Sequence, residues 1–82
     1  MLLSRKPDLR KLDKEQLIRL MELSDRLRET MLAVIALEKA TATEVSKHTG
    51  RSRASESDHL NQLERMGWLK KNKEGKKVYF SL

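Results

Sequence analysis

The sequence predicts a mainly α-helical domain that ends in a small β-hairpin, an α+β fold, and three observations support this prediction. Apolar residues recur at the three-four spacing of a helix as far as residue 66. Gly50 and Gly67 each follow such a segment, at the place where glycine commonly ends a helix. Beyond Gly67 the period falls to two in the run 78–82, which is typical of a strand. The predicted order is four helices followed by a hairpin.

Size and composition restrict the class of protein. A chain of 82 residues forms one small domain, whose thin core is often supported by a second copy. The absence of cysteine excludes disulfides, thiolate metal sites and a cysteine nucleophile, and it favours a reducing, intracellular location. The longest apolar run, residues 31–37, is far shorter than the roughly 20 residues that cross a bilayer. We expect a cytoplasmic protein.

The charge of the chain favours a polyanionic partner. Eighteen Lys and Arg residues against twelve Asp and Glu residues give a net charge of +6. Residues 70–77 hold five lysines and one acid, and a second basic cluster lies near the N-terminus. Residues 1–12 carry Pro7 and no clear period, so we interpret them as a flexible basic arm and residues 13–82 as the folded domain. A solvated surface that aids solubility is the alternative interpretation of both clusters.

Two helices are predicted in the first half of the domain. Asp13 and Gln16 match a capping box, which places the start of the first helix. Its apolar stripe is wider than a thin core would cover, so part of it is expected to contact a second copy. The candidate dimerisation residues are Leu17, Ile18, Leu20 and Met21. Ser24 or Asp25 caps a second helix that runs to Glu38, after which residues 39–42 interrupt the helical pattern.

The next two helices have the arrangement of a helix-turn-helix. Thr41 and Glu44 match a second capping box and begin a short helix that runs to about residue 48. Ser52 caps a longer helix that runs to residue 66, and Gly50 lies in the short turn between the two. In this motif the second helix can enter the major groove of DNA.

The fourth helix and the hairpin complete the domain. Leu60, Leu63 and Met66 are expected to face the core. The hairpin is predicted with strands at 68–71 and 76–82 and a turn between them that tolerates positive φ. With the basic hairpin as a wing, the predicted fold is a winged helix-turn-helix.

Polar side chains of the fourth helix and lysines of the hairpin are the candidate DNA contacts. Arg can bond guanine bidentately, Gln suits adenine and Ser reaches phosphates, whereas lysines of a wing add affinity with little sequence preference. The candidates are Arg51, Ser52, Arg53, Ser55, His59 and Gln62 at the helix and Lys70, Lys71, Lys73, Lys76 and Lys77 in the wing. Glu56 and Asp58 would repel phosphates unless they contact cytosine amino groups or pair with Arg53 and neighbouring cations.

The pattern Ser57-x-His59-Leu60-x-x-Leu63, then Gly67 and residues 74–82, resembles the ArsR-type family of winged-helix transcriptional regulators. MarR-like and TrmB-like regulators share most of the surrounding pattern. The resemblance covers about residues 23–82 and implies a homodimer that binds a palindromic operator, with the helix of residues 52–66 in the major groove.

Three departures from the ArsR-type pattern bear on function. Metal-sensing members carry a Cys-x-Cys pair where this chain has residues 40–43, and their other metal site lies on a C-terminal helix, whereas this chain ends at Leu82. Neither metal site is therefore expected, and dimerisation would fall to the first helix. Glu56 stands where such helices usually carry a β-branched apolar residue, which puts the helix register or its packing in question.

Other functions fit the sequence less well. A metal site of His48 and His59 with Asp58 is not expected, because Asp58 and His59 are adjacent on a helix and point apart, and no third good ligand lies at an i+4 spacing. No other cofactor is expected. The contiguous residues 57–59 cannot converge on one reacting atom as a hydrolase triad does, so we expect no enzyme. No small-molecule effector is evident. We expect a regulator that binds double-stranded DNA in a sequence-specific way; the alternatives are a winged helix that binds protein and a nonspecific architectural DNA binder.

Overall fold

Four helices and a three-stranded sheet make up residues 9–82, the part of the chain that this computed structural model describes. The helices are α1 (Lys14–Glu22), α2 (Asp25–Leu37), α3 (Ala42–Thr49) and α4 (Arg53–Arg65), and the strands are β1 (Lys39–Ala40), β2 (Lys70–Glu74) and β3 (Lys77–Ser81). The predicted α+β class and the predicted order of the helices are confirmed.

Local side-chain chemistry starts the helices at the predicted residues. Before α1, Gln16 N donates to Asp13 Oδ1 at 2.8 Å and Asp13 N donates to Gln16 Oε1 at 3.0 Å, a complete capping box. Before α3, Thr41 and Glu44 exchange the same two bonds at 2.9 and 3.2 Å. Each box satisfies two backbone donors that the first turn leaves without a partner inside the helix.

The N-terminal part of the fold differs from the predicted arm. Residues 1–8 of the expected arm lie outside the described residues, but Leu9–Lys11 form one turn of 3-10 helix and Leu12 is buried in the core. Leu12 precedes the capping residue Asp13, a position where an apolar side chain packs against the following helix and fixes the angle at which the chain enters it. The folded domain therefore includes residues that the sequence analysis assigned to the arm.

Helix α2 is the central element of the core. Met31, Val34 and Ile35 are fully buried along it, at the predicted helical spacing. Its N-terminal end is tied to α1, because Arg28 Nη1 donates to the main-chain oxygen of Met21 at 3.0 Å. Its C-terminal end turns sharply at Glu38, whose φ of 70° is left-handed, and the chain passes directly into β1.

The sheet holds a strand that the sequence analysis did not predict. Its order is β1-β3-β2, all antiparallel, and Ala40 lies opposite Phe80. A strand of two residues has no visible period, and its partner lies at the other end of the chain. The turn of the hairpin is also shorter than predicted: β2 continues to Glu74, and Gly75, with φ of 63°, supplies the left-handed residue of a tight turn with Lys76.

Helices α3 and α4 pack on α2 through a small apolar core. Val45, Leu60 and Leu63 are fully buried, and Phe80 contributes from β3. The prediction that Met66 faces the core is wrong: its side chain is 52% exposed, because α4 ends at Arg65 and the chain leaves the helix axis through Gly67.

Within residues 9–82, no helix is long and apolar enough to cross a membrane.

Candidate nucleic-acid interface

The turn between α3 and α4 is held by hydrogen bonds on both sides. Gly50 ends α3 in the left-handed conformation, with φ of 80°. Ser46 Oγ donates to the main-chain oxygen of Arg51 at 2.6 Å, and Ser52 Oγ accepts from Ser55 N at 3.1 Å to cap α4. The start of α4 is thus fixed relative to α3, as a helix-turn-helix requires.

A basic groove lies between the start of α3, the side of α4 and the hairpin. It encloses about 560 Å³. The cations that line it are Lys47, Arg53, Lys71, Lys76 and Lys77. Among its described lining residues Glu44 is the single acid, and its carboxylate accepts the main-chain bond of the α3 capping box. The N-terminal end of α3 adds the positive end of a helix dipole, so this concave surface suits a phosphate backbone.

One hydrogen-bonded chain joins the hairpin to α4 inside the basic groove. Lys71 Nζ donates to Asn61 Oδ1 at 2.9 Å, and Asn61 Nδ2 donates to the main-chain oxygen of Ser57 at 2.9 Å. Lys71 Nζ also lies 5.9 Å from the centre of the Phe80 ring, and the two residues are directly opposite each other on β2 and β3. The contact joins the hairpin directly to α4.

The other face of the sheet is partly neutralised. Lys39 Nζ lies 2.7 Å from Glu74 Oε2 and 4.6 Å from the centre of the Tyr79 ring. The hydrogen bond to Glu74 raises the pKa of Lys39 above its ordinary value, although all three groups are at the surface. Lys70 alternates with Lys71 along β2 and therefore belongs to this face.

Nine of the eleven predicted DNA contacts are exposed, and four of these line the basic groove. Arg53, Lys71, Lys76 and Lys77 line it. The remaining exposed candidates, which do not line the groove, are Ser52, Ser55, Gln62, Lys70 and Lys73.

Arg51 and His59 have a different position from the predicted one. Both are largely buried and both contact the carboxylate of Glu56, on the side of α4 that packs against α2. The side chain of His59 is only 16% exposed. Arg51 also pairs with Glu29 on α2. Arg51 and His59 are thus both engaged by side chains of the protein itself.

Glu56 is fully buried and well supplied with donors. Thr30 Oγ1 donates to its Oε1 at 2.8 Å, His59 Nδ1 lies 2.7 Å from the same oxygen, and Thr49 Oγ1 donates to Oε2. Burial by itself raises the pKa of Glu56, but the hydrogen bonds from Thr49, His59 and Thr30, with the charge of Arg51, outweigh it and hold the pKa below its ordinary value. Glu56 therefore neither contacts DNA nor pairs with Arg53; it is a core carboxylate.

Three residues that line the basic groove, Ser57, Asn61 and Lys47, are not among the predicted DNA contacts. Arg53, Ser57 and Asn61 are spaced by four residues, so they form one row along α4, and this row lines the basic groove. Lys47 was missed because it lies on the short helix α3. Among the described residues, no three His, Asp or Glu side chains are placed to hold a metal ion.

The four candidate dimerisation residues of α1 do not share one environment. Leu20 is buried and Leu17 is partly buried against the core of the same chain. Ile18 and Met21 are 54% and 75% exposed, respectively. Only Ile18 and Met21 therefore present substantial apolar surface to a partner.

Comparison with known proteins agrees with this arrangement of helices and wing. The family model described as sugar-specific transcriptional regulator TrmB matches residues 18–82. A protein of Archaeoglobus fulgidus, described as uncharacterized, is 41% identical over 59 residues, which cover 72% of this chain and 80% of that protein. The crystal structure of the AntR antimony-specific transcriptional repressor superposes with a TM-score of 0.66 at 19% identity, covering 99% of this chain and 80% of that one, and it shows a shared fold.

These comparisons do not confirm the ArsR-type resemblance, but they agree with the TrmB-like pattern that was named beside it. The matched region contains the helix-turn-helix, the wing and the basic groove between them. The chain belongs to the TrmB family of transcriptional regulators and is a DNA-binding protein with a winged helix-turn-helix fold.

Proposed function

We propose that this protein is a cytoplasmic regulator that binds a palindromic operator as a homodimer, with α4 in the major groove and the wing against the neighbouring backbone. The observation that carries the proposal is the basic groove, in which the cations of α3, α4 and the hairpin converge on one concave surface. A phosphate backbone is the polyanion whose spacing and curvature fit such a surface.

Within this proposal, the contacts divide into two kinds. Lys71, Lys76 and Lys77 hold phosphates and contribute affinity to any sequence. Arg53 and Gln62 stand on the exposed part of α4 and read base edges, since their side chains match guanine and adenine in the major groove. Arg51 and His59 take no direct part, because Glu56 engages them.

The dimer of this proposal is formed through α1. Ile18 and Met21 lie one turn apart on its exposed side, and two copies of such a patch can face each other about a two-fold axis. Replacing both with Glu should reduce the mass measured by light scattering from two chains to one, while Lys14→Glu on the same helix should leave it unchanged. A double variant of wild-type mass would exclude this face.

The experiment that tests the proposal is selection of bound duplexes from a random DNA library at about physiological salt, followed by sequencing. An enriched palindrome is expected, and its half-site spacing gives the distance between the two copies of α4. Binding without enrichment would favour a nonspecific architectural role. If no duplex is bound even at low salt, the result would favour a winged helix that binds protein.

A further inference from the structure

We infer that Glu56 is a positioning residue for DNA recognition, which holds α4 in one orientation against α2 and α3 through directional hydrogen bonds in the core. The group formed by Glu56 with Thr30, Thr49, Arg51 and His59 is called here the Glu56 junction. The inference rests on the proposed role of α4 as the helix that reads bases.

The partners of Glu56 come from every element that surrounds the start of α4. Thr30 lies on α2, Thr49 at the end of α3 and Arg51 in the turn, with its Nη1 3.6 Å from Glu56 Oε2. His59 is one turn further along α4 itself, and its Nδ1 donates because a carboxylate only accepts. All described buried side-chain nitrogen and oxygen atoms in this region have partners.

Arg51 extends the junction to a second point on α2. Its guanidinium pairs with Glu29 and donates from Nη1 to the main-chain oxygen of Arg26 at 3.4 Å. The charged or titratable groups around Glu56 are therefore Arg51, His59 and, behind Arg51, Glu29. The junction joins α4 to α2 along more than one turn of the latter.

The apolar contacts of α4 do not by themselves fix the orientation of this helix against α2 and α3. Leu60 and Leu63 share the face of Glu56, at spacings of four and seven residues, and they bury α4 against the core. Apolar contact is not directional, so it tolerates small rotations and shifts of a helix. Hydrogen bonds weaken steeply when their length or angle changes, so a small rotation that the apolar contacts tolerate would disturb the bonds from Thr30 and Thr49 to Glu56.

A buried carboxylate is also a poor choice for stability alone. Removing a charge from water is costly, and replacing all members of a buried ionic network with apolar residues of similar volume often leaves stability unchanged or raises it. What an apolar residue does not replace is the fixed direction of the bonds. In α4, Arg53 and Ser57 flank Glu56 on the groove side, so its orientation determines where the reading side chains lie.

The test compares variants with matched volumes. Glu56→Met removes the polar bonds with little change of volume, Glu56→Gln retains an acceptor for Thr49 and a donor for the neutral imidazole, and Leu63→Met is the control at another fully buried position of α4. For each, the ratio of Kd on a scrambled duplex to Kd on the duplex selected by the wild type is measured, together with the melting temperature of the free protein.

We expect Glu56→Met to fold and to lower this ratio by about tenfold, an amount comparable with the loss of one good base contact. Glu56→Gln should recover most of the ratio, and Leu63→Met should keep the wild-type ratio. If Glu56→Met does not fold, Thr30→Val, which removes one hydroxyl of the junction, should lower the ratio by a smaller amount.

A folded Glu56→Met variant with the wild-type ratio would overturn the inference, and so would an unchanged ratio in Thr30→Val where Glu56→Met is unfolded. Failure of the proposed function gives a different result, since the wild type itself would then select no sequence. In that case the proposed function and the positioning role of Glu56 are both refuted, because a helix that reads no bases needs no positioning.

Discussion

The basic groove leads to a quantitative prediction about salt. Lys76 and Lys77 line the groove at the tip of the wing, and both side chains are exposed. Replacing both with Ala should weaken binding to every duplex by a similar factor, because phosphate contacts carry no sequence information. Folding should be unaffected, since neither side chain packs in the core.

The size of the effect follows from counterion release. Each phosphate contact changes the slope of log K against log salt by about 0.9, so the loss of two contacts makes it shallower by about 1.8. Between roughly 50 and 200 mM salt, a fourfold change, the wild type should therefore lose about 12-fold more affinity than the double variant. Fluorescence anisotropy with a labelled duplex at several salt concentrations measures both slopes.

A matched control removes the same charge elsewhere. Lys14 lies on α1 and Lys70 on β2, and neither is among the residues that line the groove. The Lys14→Ala/Lys70→Ala variant should keep most of the wild-type slope. Equal slopes for the two double variants would mean that only net charge matters, and the groove would no longer be the backbone site.

Three further predictions concern single residues. Arg53→Ala should relax the preference at one base position in a repeated duplex selection, at a cost of about 1–3 kcal/mol there; uniform weakening would assign it to the backbone instead. Leu60→Ala removes a fully buried side chain and should lower the free energy of unfolding in urea by about 2–5 kcal/mol, against about 0.5 kcal/mol or less for the exposed Gln62→Ala. Because the pKa of Glu56 is lowered in the folded state, ionised Glu56 stabilises the fold above the pKa of the unfolded carboxyl, about 4.3, and this stabilisation is lost as the pH falls through the folded pKa. The stability advantage of the wild type over Glu56→Gln should therefore be full at neutral pH and shrink below about pH 4. A difference in stability that does not depend on pH would contradict the assignment.

The parts of the fold that were predictable are those determined by residues close in sequence. Each capping box is complete within four residues, so Asp13 and Thr41 marked the starts of α1 and α3 correctly. Gly50 and Gly67 likewise marked helix ends through their own backbone conformation. The winged helix-turn-helix could therefore be assembled from local signals in the right order.

The parts that were not predictable depend on distant residues. Strand β1 exists because Lys39 and Ala40 find partners at Ser81 and Phe80, and a two-residue segment contains no pattern that announces such a pairing. Met66 continued the spacing of Leu63, but a spacing argument does not show that the helix ends one residue earlier. In both cases the missing information lay in the tertiary structure.

The buried position of Arg51 and His59 was not predictable for a related reason. Polar residues of a recognition helix are expected to face outward, yet Glu56 occupies the apolar stripe with Leu60. Its buried charge draws hydrogen-bond donors inward. The spacing of Glu56 was visible in the sequence, whereas its partner Thr30 lies 26 residues away. A charged residue in register with a buried stripe predicts that nearby polar residues serve it, and this would have removed both from the candidate interface.

The separation of roles along α4 has a consequence for how its specificity can change. The inward face carries the apolar contacts and the Glu56 junction, while Ser55, Asp58 and Gln62 are exposed and lie outside the basic groove. Substitutions at exposed positions away from caps and buried networks usually alter stability by less than about 0.5 kcal/mol. Under the proposed function, Asp58 and Gln62 can therefore vary with the DNA sequence while the Glu56 junction keeps the orientation of α4. Ser55 is more constrained, because its main-chain nitrogen and hydroxyl both bond Ser52 at the cap.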